Sequence, residues 1–104
     1  MNQNEAFNQI VLRFIDAYVE LHLEINSTIV MAQFPIARTK VSSLMTRYLE
    51  DKPSNLRYVA ARQRYLKGLS FERQFLEKDQ SALAYLQAIE LAYKPYTDAK
   101  KQPC

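Results

Sequence analysis

The sequence predicts a mainly α-helical domain carrying one small β-hairpin, and three observations point there. A single Gly and four Pro among 104 residues leave few places for the tight turns of a many-stranded sheet. Apolar residues recur at intervals of three and four through most of the chain, the period of a helix with one buried face. One short stretch, residues 56–66, alternates instead. The length suits one compact domain rather than two. With 48% hydrophobic and 24% charged residues, the composition is that of a chain that folds.

In the first segment Phe7, Ile10, Val11, Phe14, Ile15, Tyr18 and Val19 make one stripe, with Asn8, Gln9, Arg13, Asp16 and Glu20 between them. This is an amphipathic helix of about five turns. The only histidine, His22, has no Ser, Cys or acid arranged to support catalysis and is given no role. Asn26 or Ser27 then caps a short helix through Ile29, Val30, Met31 and Phe34, which Pro35 closes because proline disfavours helical backbone in the residue before it. A third helix carries Val41, Leu44, Met45, Tyr48 and Leu49 on its packing stripe. Arg38, Thr39, Lys40, Ser42, Ser43, Thr46 and Arg47 fall outside that stripe.

Pro53 ends the third helix, and the period changes. Leu56, Tyr58 and Tyr65 alternate with Arg57 and Arg64, which predicts two short strands joined near Ala60 and Ala61 by a turn without glycine. Past Gly68, a further helical stretch is expected to hold Phe71, Phe75 and Leu76. Asp79 or Ser81 caps a last helix with Leu83, Leu86, Ile89 and Tyr93, up to a break at Pro95, and the end of the chain is a frayed tail.

The charge is unevenly distributed. Residues 37–67 hold eight cations and two acids, or +6, so a chain of net charge +3 keeps −3 for the remainder. Such a block predicts a polyanionic partner for one surface. The lone Cys104 allows neither an internal disulfide nor a zinc-ligand spacing. The polar start and the charges at Arg13, Asp16 and Glu20 exclude a signal peptide or a membrane span, so a cytoplasmic, nucleoid-associated protein is expected. No metal cluster, glycine-rich phosphate loop or nucleophile-base pair appears, and neither an enzyme nor a cofactor is expected.

Two short helices followed by a basic hairpin describe a winged helix-turn-helix, whose second helix enters the DNA major groove while the wing tracks the flanking backbone. On this reading Arg38, Thr39, Lys40, Ser42, Ser43, Thr46 and Arg47 form the groove-reading face. Arginine's planar fork can donate two hydrogen bonds to a guanine, whereas lysine suits a phosphate. Arg57, Arg62 and Arg64 would bind phosphates or enter the minor groove.

From Phe14 to Leu76 the chain resembles the N-terminal winged-helix domain of bacterial transcription regulators that carry a C-terminal WYL ligand-sensing domain, including those of phage-defence loci. The residues that carry the likeness are FID at 14–16, Ile25-Asn26, Phe34, Ile36, Ser42, RYLEDKPSNLRY at 47–58, RYL at 64–66 and FERQFL at 71–76. The resemblance implies a homodimeric, sequence-specific double-stranded DNA-binding protein with helix 38–49 in the groove and residues 56–66 as the wing. Those regulators continue into a sensing domain that these 104 residues do not include, so no small-molecule ligand is implied.

The expected organisation is a DNA-binding domain at 1–78, a dimerisation helix at 79–96 and the tail at 97–104. Leu83, Leu86, Ile89 and Tyr93, with Tyr85 and Leu91 beside them, make the last helix apolar around much of its circumference, and a second subunit is expected to cover it. The sequence suggests a dimeric repressor. A second reading is a winged-helix interaction module whose basic face meets an acidic protein.

Overall fold

In the computed structural model, which describes the backbone of residues 2–101 and the side chains of residues 2–93, the first helix, α1, is Gln3–His22. Asn2 starts it by accepting a hydrogen bond from the Glu5 backbone N–H at 2.8 Å, which satisfies one of the donors a helix start leaves open. Leu23 ends it in the left-handed region at φ 68°, donating its N–H to the Val19 carbonyl. A non-glycine residue is uncommon there. The reversal it makes turns the chain directly into β1, Glu24–Ile25.

Asn26 caps α2, Ser27–Gln33, through its side chain and the Ile29 N–H at 2.8 Å. Phe34 follows in extended backbone, as a residue before proline prefers. The third helix, α3, is Arg38–Asp51, and it buries Val41, Leu44, Met45 and Tyr48 along the expected stripe. A 3₁₀ turn at Pro53–Asn55 leads into β2, Leu56–Val59. A second 3₁₀ turn, Ala60–Arg62, and Gln63 in left-handed backbone reverse the chain into β3, Arg64–Lys67.

The sheet has three antiparallel strands in the order β1-β3-β2, with Tyr65 opposite both Tyr58 and Ile25. The hairpin was expected; its third strand was not. With only two residues, β1 is too short to show a period in sequence. It is nevertheless what attaches the wing to α1. Gly68 closes the ribbon: its N–H donates to the Asn55 carbonyl at 2.8 Å, and a Cβ there would lie 1.9 Å from the Ser54 carbonyl oxygen. The single glycine therefore stands where two backbone segments approach too closely for any side chain.

Two expectations are corrected downstream. Residues 68–81 form no helix and run as an irregular strap. Helical backbone would send each N–H to a carbonyl four residues back. Here three consecutive N–H groups, of Gln74, Phe75 and Leu76, all donate to one carboxylate oxygen of Asp16, at 2.8, 2.5 and 2.9 Å. Arg73 donates to the carbonyls of Glu77, Lys78 and Gln80 and grips Glu20 with both nitrogens of its fork. Side chains thus take the place of helical hydrogen bonds.

The second correction concerns the last helix, α4, which is Ala82–Lys101 and does not break at Pro95. Proline removes one N–H and crowds one carbonyl, which weakens a helix without always ending it. Ser81 caps α4 through the Ala84 N–H at 3.1 Å. Of the expected frayed tail, residues 102–104 lie outside the described residues.

The core lies between α1, α2, α3 and α4. Phe34 is its centre, with ring centroids 5.8 Å from Phe7, 5.2 Å from Phe14 and 5.0 Å from Tyr93, each edge to face. Phe34 thereby joins the turn between α2 and α3 to both long helices. Beneath the wing runs a polar chain instead. The Tyr48 hydroxyl donates to Asp16 at 2.5 Å, Asn55 donates to Tyr48 Oη at 3.2 Å, and Asn55 exchanges hydrogen bonds with both backbone groups of Glu72. Burial, followed by the Asp16 charge, pushes the Tyr48 phenol well above its ordinary value. The hydroxyl therefore stays a donor, and α1, α3, the wing entrance and the strap are locked to one another.

Candidate nucleic-acid interface

At 3.6 residues per turn, the polar residues of α3 divide into three groups around the buried stripe. Arg38, Ser42 and Thr46 follow at intervals of four on the flank that faces the wing. With Arg62 and Arg64 of the wing they line an open cleft of about 540 Å³, floored by Val41 and Met45. Three arginines line this cleft and no acid does. Thr39 and Ser43 are exposed on the outward side of the helix, opposite its core face. Lys40 and Arg47 are on the far flank, away from the wing.

Individual contacts refine this picture. Arg38 donates to Ser27 Oγ at 3.0 Å, which holds its guanidinium across the mouth between α2 and α3. Thr46 donates its hydroxyl proton to the Ser42 carbonyl at 3.0 Å and so has only acceptor capacity left. Arg64 Nη1 is bonded to the Glu24 carboxylate, and its Nε donates to the Arg62 carbonyl at 3.4 Å. Arg62 itself is exposed. Arg57 is exposed too, but it neighbours Tyr58 in the strand and thus stands on the other face of the ribbon, outside the cleft.

Arg47 is engaged elsewhere in the protein. Its two terminal nitrogens meet both carboxylate oxygens of Glu5, from the first turn of α1, at 2.9 and 2.6 Å. Hydrogen bonds from Arg47 and then from Gln9 hold the Glu5 carboxyl down at about 2, so it is ionised throughout the physiological range. This partner is 42 residues away in sequence, so no helical spacing within α3 announces it. Of the ten residues expected to face DNA, the structure gathers Arg38, Ser42, Thr46, Arg62 and Arg64 into one cleft. Thr39 and Ser43 flank it, and Lys40, Arg47 and Arg57 stand apart.

Sequence reasoning missed further cleft residues. Tyr58 shares the alternation phase of buried Leu56 and reads as core, yet it is 54% exposed and packs its ring 4.9 Å from that of Tyr65. Gln63, at the αL position of the wing tip, lines the cleft as well. So do Asn26 and Ser27, for which only capping was foreseen, and Thr28 beside them at the start of α2. A glycine-free turn beside two arginines was the one available signal for Gln63.

On α4, Tyr85 and Ile89 are buried against α1, and the Tyr85 hydroxyl donates to the Ile10 carbonyl at 2.9 Å. Burial pushes the Tyr85 phenol up to about 12. Leu86 and Tyr93 pack against the same core. Of the four residues expected to meet a second subunit, Leu83 alone is fully on the outer side; it is 55% exposed, and Leu91, on the same side, is 73% exposed.

The order helix, strand, helix, helix, strand, strand, with a cationic cleft between the third helix and the ribbon, defines a winged helix-turn-helix domain. The family model of the BrxR transcriptional regulator winged helix-turn-helix domain matches residues 8–91, and the chain belongs to that family. It is thus a winged-helix domain of transcriptional regulators, a class that binds DNA. No curated protein matches the chain. Among the described residues, no helix is long and apolar enough to cross a membrane.

Proposed function

We propose that this chain is a sequence-specific, double-stranded DNA-binding transcriptional regulator acting in the cytoplasm, a dimeric repressor that reads a palindromic operator. Helix α3 enters the major groove and the wing holds the flanking backbone. The observation that carries the proposal is the acid-free cleft in which Arg38, Arg62 and Arg64 converge beside the hydroxyls of Ser42 and Tyr58. A duplex satisfies such a surface because its phosphates line both sides of the groove that a helix occupies. A domain of this size reads too few base pairs to find one genomic site, so two copies related by a twofold axis are required. The exposed flank of α4 with Leu83 and Leu91 is the surface proposed to join them. Bound across a promoter, such a dimer represses most simply by occupying it.

A mobility-shift assay of the folded protein against its own upstream region, with random duplex as competitor, tests this reading. A shifted band that survives the competitor is expected. Absence of any shift at moderate salt would instead favour an acidic protein as the partner.

A further inference from the structure

Two arginines of the proposed DNA-binding elements are already occupied by carboxylates from other parts of the fold. Arg47 is held by Glu5 of α1 in a two-point, fork-to-fork pair, and Arg64 is held by Glu24 of β1. The pair of donors that Arg47 gives to Glu5, and the single one that Arg64 gives to Glu24, are donors a guanidinium can also offer to a phosphate. Among the described residues, Arg38, Arg57 and Arg62 have no carboxylate within ion-pair distance and are exposed to solvent. The cations are therefore of two kinds, open and occupied. Glu5 is itself kept in place by Gln9 at 2.9 Å and Asn8 at 3.5 Å, so its carboxylate does not leave by side-chain rotation alone without giving up those bonds.

We propose that Glu5 and Glu24 are specificity-determining residues that act by withholding Arg47 and Arg64 from random DNA. This inference rests on the DNA-binding reading above. The open arginines supply attraction to any duplex. The occupied ones exchange carboxylate for phosphate only where the rest of the surface fits well enough to bring a backbone oxygen into the fork. No net charge is created in the exchange: Arg47 gives up a two-point contact with its carboxylate and Arg64 a one-point contact, each for a phosphate, and the released carboxylate regains its water. An arginine that is neutralised in the free protein releases few counterions on random DNA, so it adds little to non-specific affinity. Discrimination between operator and random sequence is thereby widened.

The test is the affinity of the full chain for random duplex and for its selected site, measured against salt. The proteins compared are the wild type, Glu5→Gln, Glu24→Gln, Arg47→Ala and the Glu5→Gln, Arg47→Ala pair. The proposal expects each single glutamine variant to bind random duplex about threefold or more tightly at low salt. Its salt slope should steepen by about 0.9 for an arginine newly available to a phosphate. The ratio of specific to non-specific affinity should fall. In the Arg47→Ala background the Glu5→Gln gain should shrink sharply, because no arginine remains to be released; a general charge effect would leave it intact. An undiminished gain there, or random-duplex binding that is unchanged or weaker in both glutamine variants, overturns the proposal and makes the carboxylates simple alignment arms. A wild type that does not bind duplex at all would sink the DNA-binding reading itself, whereas a binding wild type with inert glutamine variants sinks this inference alone. Glu24→Gln supplies the answer through a separate element should Glu5→Gln fold poorly.

Discussion

A carboxylate with no exposed surface normally calls for a cation, yet Asp16 has a different set of partners: three backbone N–H groups of the strap and the hydroxyl of Tyr48. Those four donors disperse its charge and tie α1, α3 and the strap together. Buried groups left without partners cost about 1–3 kcal/mol each. Tyr48→Phe should therefore lower unfolding free energy by about that amount, since Asp16 keeps its three N–H donors. Asp16→Ala strands all four donors and should cost at least about 3 kcal/mol. Urea unfolding distinguishes them, and equal losses would contradict the network. The half-buried acids behave in another way. Glu5 and Glu20 both have carboxyls held below the ordinary value of 4.5, by Arg47 and Arg73 respectively. A depressed carboxyl stabilises the fold above its unfolded value and loses that contribution as pH falls through the folded one. For Glu5 the window runs from 4.5 down to about 2. Thermal melts of Glu5→Gln should accordingly depend less on pH across that window than those of the wild type.

At the scale of elements, what was legible in sequence followed from local rules. The stripe of α3, the cap at Asn26, the breaks at Pro35 and Pro53 and the hairpin phase at residues 56–66 each need only a few neighbours to be read. The strap was not legible, because its apolar Phe71, Phe75 and Leu76 have helical spacing while its backbone is governed by Asp16 and Arg73. No local pattern reveals that a carboxylate 58 residues upstream will take three N–H groups. The short strand β1 was hidden for a similar reason, since its pairing with β3 exists only in three dimensions. The cleft between α3 and the wing was half legible. Spacing set Arg38, Thr39, Lys40, Ser42, Ser43, Thr46 and Arg47 together outside the packing stripe without dividing them between its two flanks, and composition alone could not separate Arg47 from Arg38. One meets Glu5 and the other meets Ser27, and both partners come from other helices.

The whole molecule is polarised. Its basic block supplies the cleft between α3 and the wing, while α4 packs Tyr85 and Ile89 on α1 and shows Leu83 and Leu91 to solvent. If that outer flank joins two copies, replacing both leucines by Lys should convert a dimer to a folded monomer in sedimentation or light scattering. Operator affinity should then fall more than random-duplex affinity, because only the operator uses both half-sites. A protein already monomeric at micromolar concentration would contradict this part of the proposal. The cleft between α3 and the wing is tested most directly by the affinity of Arg38→Ala and Arg62→Ala for the selected site and for random duplex over a range of salt. A loss for Arg38→Ala that is about 1–3 kcal/mol greater for the selected site than for random duplex, and a loss shared by all sequences with a salt slope smaller by about 1 for Arg62→Ala, is the expected result. Wild-type affinity in both variants, with their fold intact, would contradict it.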